Sequence, residues 1–156
     1  MPPEFVLVVV GDGYAAGVYK RQVESLNLED RVRFVGAVGD KETLNDYYNS
    51  SDCTVIPASD TESFSLVALE SLSSGTPVIA SDLPGTRGRV VDKKDGLLFQ
   101  PGEVKDLKEK IEKFFAMSIE DRKKMGEAGR KKVLENYTWD IHIQKLISIY
   151  QSMTRS

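Results

Sequence analysis

Apolar residues fall in short unbroken runs, separated by longer stretches in which they recur every three or four positions. Phe5-Val-Leu-Val-Val-Val10 is apolar throughout and stops at Gly11-Asp-Gly13, which predicts a strand buried on both faces of a parallel sheet. Tyr14 to about Leu28 reads as a helix. Val32 to Val35, ending at Gly36, is a second strand, and Asp40-Lys-Glu opens a helix with Leu44, Tyr47 and Tyr48 on its apolar side and acids where the helix dipole favours them. Cys53 to Pro57 is a third strand. Phe64 to Ser74 is a helix closed by Gly75, with Pro77 just beyond, and Val78-Ile-Ala80 follows as a strand. Strand and helix alternating at this spacing means βαβ units.

After Asp82 the pattern changes. Leu-Pro-Gly85 and Asp95-Gly96 are turn signals flanking extended pieces at Val90-Val91 and Leu97-Phe99, and from Glu103 onward the chain reads as helical. Ser118-Ile-Glu-Asp121 has the form of a capping box. Thr138-Trp-Asp is the expected N-cap of a last amphipathic helix, with Ile141, Leu146, Ile149 and Tyr150 inward and Trp139 as its core anchor. The predicted fold is α/β: a doubly wound, Rossmann-like parallel sheet with a helical C-terminal end.

Composition narrows the class. The 156 residues, 40% hydrophobic, suit one ordinary domain and argue against an enzyme whose site lies between two halves of this same chain. With 21 basic against 24 acidic residues, net charge −3 and no long run of one sign, nucleic acid and anionic membrane are unlikely partners. No apolar run approaches a membrane span, which needs about 18 residues. A lone Cys53 and a start without a signal-peptide pattern make a cytoplasmic protein the expectation. Cys53 is expected in the core, His142 at the surface, and the mixed charges from Lys105 to Lys132 on a solvated face.

In open α/β sheets ligands gather at the carboxyl ends of the strands, so the informative segments are Gly11-Asp-Gly13, Gly36-Ala-Val38, Ala58 to Phe64 and Ser81 to Arg89. The first lacks the later glycine of a dinucleotide fingerprint and is equally a plain tight turn. The third says more. Between Glu62 and Asp82 the only charge is Glu70, on an otherwise apolar helix; sugar or ribose hydroxyls are suitable donors to such a carboxylate. Glu62 and Glu70 would stand roughly 10 Å apart along the helix, with the N–H groups of Phe64, Ser65 and Leu66 between them offered to an anion. Spacing alone leaves open that Glu62 is a solvated first-turn acid and that Glu70 points out between helices.

The stretch from Pro57 to Ser81 closely resembles the Glu-x7-Glu signature of retaining glycosyltransferases of the GT-B fold, the family 4 type (glycosyl transferases group 1). Val-Val-Gly-Asp-Gly13, Val-Arg-Phe-Val-Gly36, Tyr48 through Asp52, Asp95-Gly-Leu-Leu98, Pro101-Gly-Glu103 and Tyr137-Thr-Trp-Asp140 are similar to further landmarks of that family. The resemblance implies a GT-B C-terminal domain that binds a nucleoside-diphosphate sugar, such as a UDP or GDP sugar, and transfers the sugar with retained configuration, without metal or other cofactor. It implies that Glu62 acts at the donor sugar near the reacting centre and that Glu70 accepts from the ribose. Ser63, Phe64, Ser65 and Leu66 would hold the diphosphate, Ala37 and Val38 would lie against the base, and Gly11 and Gly13 would line the donor site.

The chain also departs from the family pattern. Ser65 stands where glycine is usual, and Gly88 replaces a common glutamate. The segment Leu-Pro-Gly-Thr-Arg-Gly-Arg89 offers two arginines, of which Arg87 is the one expected to face the donor phosphates. Nothing before Phe5 matches the family's upstream basic loop, nor is an acceptor domain present. Residues 1–156 therefore read as a single donor-binding domain that lacks its first strand and loop and its N-terminal acceptor domain, inactive alone, with peripheral membrane association of a full-length enzyme left open. The alternative is a non-catalytic partner subunit that docks on a separate acceptor domain, or pairs with a second copy through an exposed interdomain face.

Overall fold

The structure, a computed structural model, describes residues 5–153. It contains, in chain order, β1 (Leu7–Val10), α1 (Ala16–Ser25), β2 (Val32–Gly36), α2 (Lys41–Asn49), β3 (Thr54–Ile56), α3 (Leu66–Ser73), β4 (Val78–Ser81), β5 (Gly96–Phe99), α4 (Val104–Ala116), α5 (Ile119–Asn136) and α6 (Trp139–Met153). Two compact units result, Met1–Leu44 and Asn45–Ser156. The strands form two parallel hydrogen-bonded sheets, β1-β2 in the first unit and β3-β4-β5 in the second. β1 and β2 are joined through α1, and β3 and β4 through α3, as the strand and helix periodicities predicted, whereas β4 and β5 are joined by the turns of residues 82–95.

In the first unit Leu7 pairs with Val32 and Val9 with Phe34, and the register shifts between Val9 and Val10. Burial of β1 on both faces is not observed. Leu7, Val8 and Val10 are exposed, because a four-residue strand with one paired neighbour leaves its other edge and much of its side-chain surface open. Asp40 caps α2 as its position suggested, accepting from the Thr43 N–H at 2.8 Å.

In the second unit β4 is the central strand and is buried along its whole length. Its side chains alternate between two clusters, as the period of a strand requires. Val78 and Ala80 join Ile56, Ala68, Leu69, Leu72, Val90 and Val133 on the side of α3 and α5. Ile79 joins Leu97, Phe99, Phe114 of α4 and Met125 in the second cluster, so α5 contributes to both. Each such fully buried aliphatic or aromatic side chain contributes about 1.5–3 kcal/mol, so this sheet is where the apolar content of the chain is put to use. Two glycines let α5 approach: a Cβ on Gly126 would lie 1.9 Å from the Gly75 carbonyl oxygen, and one on Gly129 would lie 2.5 Å from a Leu72 methyl. Gly75 itself ends α3 at φ +82°, the left-handed conformation expected of a C-terminal glycine. Ser118 caps α5, accepting from the Asp121 N–H at 3.1 Å while its hydroxyl donates to the Asp121 carboxylate at 2.8 Å.

Several expectations change. α3 begins at Leu66, with Ser65 as its N-cap and Phe64 outside it. Val90-Val91 is not a strand; residues 82–95 form turns with isolated bridges. Cys53 precedes β3 and is only half-buried, yet it packs on the second cluster. Trp139 is 79% exposed, and Leu146, Ile149 and Tyr150 are exposed too, with Ile141 half-buried. The periodicity of α6 defines an apolar face, but nothing among the described residues covers it. Lys132 is no solvated charge, its side chain being 17% exposed. Among the described residues no helix is long and apolar enough to cross a membrane.

Candidate functional site

The carboxyl end of β3 leads into the loop carrying Glu62 and Ser63, and that loop runs into the N-terminus of α3. Glu62 is half-buried and makes no hydrogen bond or ion pair among the described residues. Its position is set by a backbone contact from the turn after β4. A Cβ on Gly85 would meet the Glu62 carbonyl oxygen at 2.1 Å and its Cγ at 2.8 Å, so only glycine lets the two loops lie this close. The Gly85 carbonyl in turn accepts from the Ser65 N–H at 3.2 Å. That bond corrects one expectation, since the Ser65 N–H is committed within the protein. The Phe64 and Leu66 N–H groups have no backbone partner among the described residues, as the first turn of a helix requires.

Ser65 has a second feature. Its residue is 1% exposed, its side chain does not cap α3, and its Oγ is buried without a hydrogen-bond partner among the described residues. Buried hydroxyls are nearly always paired, so an orphan at a helix N-terminus is the kind of group a bound acceptor completes. Phe64 and Leu66 on either side are exposed.

Glu70 is exposed rather than buried, and its Oε2 accepts from the Tyr48 hydroxyl at 3.0 Å. This pairing lies 22 residues apart in the chain and has no local signal in the sequence. Burial, together with the nearby Glu70 charge and hydrogen bond, pushes the Tyr48 phenol well above its ordinary value, so it stays protonated and donates. Burial likewise pushes the Cys53 thiol up to about 12.

The two arginines after β4 part company. Arg87 is exposed and engaged by Asp82, with Nε–Oδ1 2.6 Å and Nη2–Oδ2 3.2 Å, a bidentate pair that takes up its charge. Arg89 instead lays its guanidinium on the Phe64 ring, 4.0 Å from the centroid. Lys132 donates to the Arg89 carbonyl and, at 2.6 Å, to Asp95, which is fully buried and also accepts from the Val91 N–H at 2.8 Å. Tyr137 donates to the Gly88 carbonyl at 3.2 Å. Nothing in the sequence paired Lys132 or Arg89 with these partners.

Thus Glu62, Ser63, Phe64, Ser65, Leu66 and Glu70 follow one another through the start of α3, with Arg87 in the adjoining loop. The other expected residues lie in the first unit. Gly11, at φ +129°, donates its N–H to the Gly36 carbonyl at 2.8 Å. Gly13 has neither a positive φ nor any atom near its Cβ direction. Ala37 and Val38 form the loop after β2, exposed and half-buried respectively.

The parallel sheets flanked by helices match those of GT-B glycosyltransferase structures. A family model described as glycosyl transferases group 1 matches residues 1–132, and the chain belongs to that family. Over 140 residues it is 34% identical to the sulfoquinovosyl transferase of Arabidopsis thaliana, covering 88% of this chain and 26% of that protein. Among solved structures it is similar to sucrose-phosphate synthase from Thermosynechococcus elongatus (TM-score 0.84, 32% identity, 97% of this chain and 39% of that one). It is also similar to Anabaena HepE in complex with UDP (TM-score 0.87, 23% identity, 97% and 42%). The chain therefore spans well under half the length of these proteins.

Proposed function

We propose that the chain is the donor-binding part of a retaining glycosyltransferase and takes a nucleoside-diphosphate sugar. The observation that carries this reading is the N-terminus of α3: a buried, unpartnered Ser65 hydroxyl, flanking N–H groups without backbone partners, and a glutamate on each side. A diphosphate accepts from such donors and is favoured by the positive end of the helix dipole. Glu62, with no protein partner, is the group left free to act on the donor sugar. Glu70, held by Tyr48 through Oε2, keeps Oε1 for ribose hydroxyls. For Gly11, Gly13, Ala37 and Val38 the donor role rests on the resemblance alone.

In transfer, the bond between the anomeric carbon and the phosphate oxygen breaks, the acceptor oxygen bonds the same face, and the acceptor's hydroxyl proton passes to the departing diphosphate. Negative charge grows on the departing diphosphate. On this reading it is met by the α3 dipole and by arginine, in the manner of preorganised electrostatic stabilisation, without a metal. A UDP complex of HepE supports the donor class.

Calorimetric titration of the chain with UDP, GDP and their sugars tests the proposal. Saturable binding of one of them, weakened in Glu70→Ala, is the expected result; unchanged affinity in that variant refutes the ribose role. The second reading, a partner subunit docking on a separate acceptor domain, is favoured by the uncovered face of α6. Light scattering that finds a monomer at high concentration would count against its self-pairing form.

A further inference from the structure

Two arginines follow β4, and only one of them is already neutralised. Arg87 is locked to Asp82 by two guanidinium–carboxylate contacts and exposed to solvent. Arg89 has no carboxylate partner among the described residues. Its Nε is buried with no hydrogen bond, and its Nη1 reaches only the Arg87 carbonyl, at the long distance of 3.5 Å. A half-buried guanidinium with an N–H left without an acceptor is under-satisfied, and buried groups of that kind are uncommon.

Its location says what would bind. The guanidinium carbon lies over the Phe64 ring, 4.0 Å from its centroid, and Phe64 immediately precedes the N-cap of α3. The contact holds the guanidinium beside the start of α3, and a guanidinium is the side-chain group suited to phosphate oxygens. The backbone is held as well: the Arg89 N–H donates to the Thr86 carbonyl at 3.0 Å, and its carbonyl accepts from Lys132, itself paired with the buried Asp95. Independent of these, the buried Ser65 hydroxyl lacks a partner at the same helix end.

We propose that Arg89, rather than Arg87, is the cation that binds the diphosphate of the donor, lying over Phe64 and held in place by Lys132. The assignment rests on the donor reading above. It gives this chain a positive charge at the α3 N-terminus from a position 25 residues downstream of Phe64, and makes Phe64 the platform for that charge.

Two variants test it. Arg89→Gln keeps a planar group over Phe64 and loses the charge, and Arg89→Met keeps an apolar stem. UDP, GDP and the free nucleosides are titrated into the full chain and each variant, with thermal unfolding recorded alongside. Diphosphate affinity is expected to fall about tenfold or more, the size of one lost charge-assisted hydrogen bond, while nucleoside affinity stays within about twofold. In the wild-type chain, the Arg89 Nε–H resonance is expected to shift on adding the diphosphate, a readout that needs no variant to fold. Undiminished diphosphate affinity in the folded variants, an equal loss for the nucleoside, or an unmoved Arg89 resonance while the diphosphate binds would each overturn the assignment and leave the donor reading standing. Failure of the wild-type chain to bind any nucleoside diphosphate would overturn both.

Discussion

Replacing Lys132 by Met should destabilise the second unit more than any other loss of a surface-helix lysine. The Asp95 side chain is 0% exposed and that of Lys132 17%, with 2.6 Å between ammonium and carboxylate. Once the ammonium is gone, a buried carboxylate keeps one neutral donor, the Val91 N–H, and the Arg89 carbonyl loses its lysine donor. Leaving one partner of a buried pair uncompensated costs about 3–5 kcal/mol, a large share of the roughly 5–15 kcal/mol that holds a typical domain. An exposed pair such as Lys131 with Glu135, 3.9 Å apart, is worth less than about 1 kcal/mol. Urea unfolding followed by circular dichroism reads the difference, and the thermal midpoint should fall on the order of 6–20 °C. The double variant Lys132→Met/Asp95→Asn removes the buried charge and should recover at least half of the loss. A cost below about 1 kcal/mol, or no recovery in the double variant, would show that the pair is not the buried, uncompensated charge described above.

Three further outcomes are expected. Gly126→Ala would put a Cβ 1.9 Å from the Gly75 carbonyl oxygen and force α5 off α3; a loss of about 1–3 kcal/mol is expected from such overpacking, measured by the same urea unfolding. Gly85→Ala would press a methyl on the Glu62 backbone, 2.1 Å from its carbonyl oxygen, so donor affinity should drop by calorimetry more than stability does; unchanged affinity would detach Gly85 from the site. Cys53, its thiol pushed by burial from 9.0 to about 12, should react with a disulfide reagent far more slowly at mild alkaline pH than a free thiol does. The raised value sets the sign: stability linked to the protonated thiol is in place below 9.0 and is lost as pH climbs toward about 12, so Cys53→Ser should flatten the alkaline limb of the stability curve.

Element types were readable along most of the chain because period and punctuation are local properties. The alternation of apolar runs with three-to-four spacing marked βαβ units, Gly75 marked the end of α3, and Ser118 with Asp121 marked the start of α5. The signature from Glu62 to Glu70 is likewise a property of consecutive residues, which is why it is legible in the sequence at one helix end. Burial was less legible. The continuous apolar run of β1 reads like a central strand, yet Leu7, Val8 and Val10 are exposed, and α6 carries an apolar face that nothing among the described residues covers. Periodicity says which residues share a face and nothing about what covers it.

The sequence by itself determined the α/β alternation, the family, and the order of groups around α3, because each depends on neighbours in the chain. Only the tertiary structure decided which partners the charges take. Arg87 and Arg89 are two residues apart and chemically identical, but Asp82 captures the first while Phe64 receives the second. Lys132 looks like any lysine of a charged helix until the turn after β4 brings Asp95 beneath it. Partners 37 residues away in the chain are chosen by packing, and packing is where electrostatic roles are assigned.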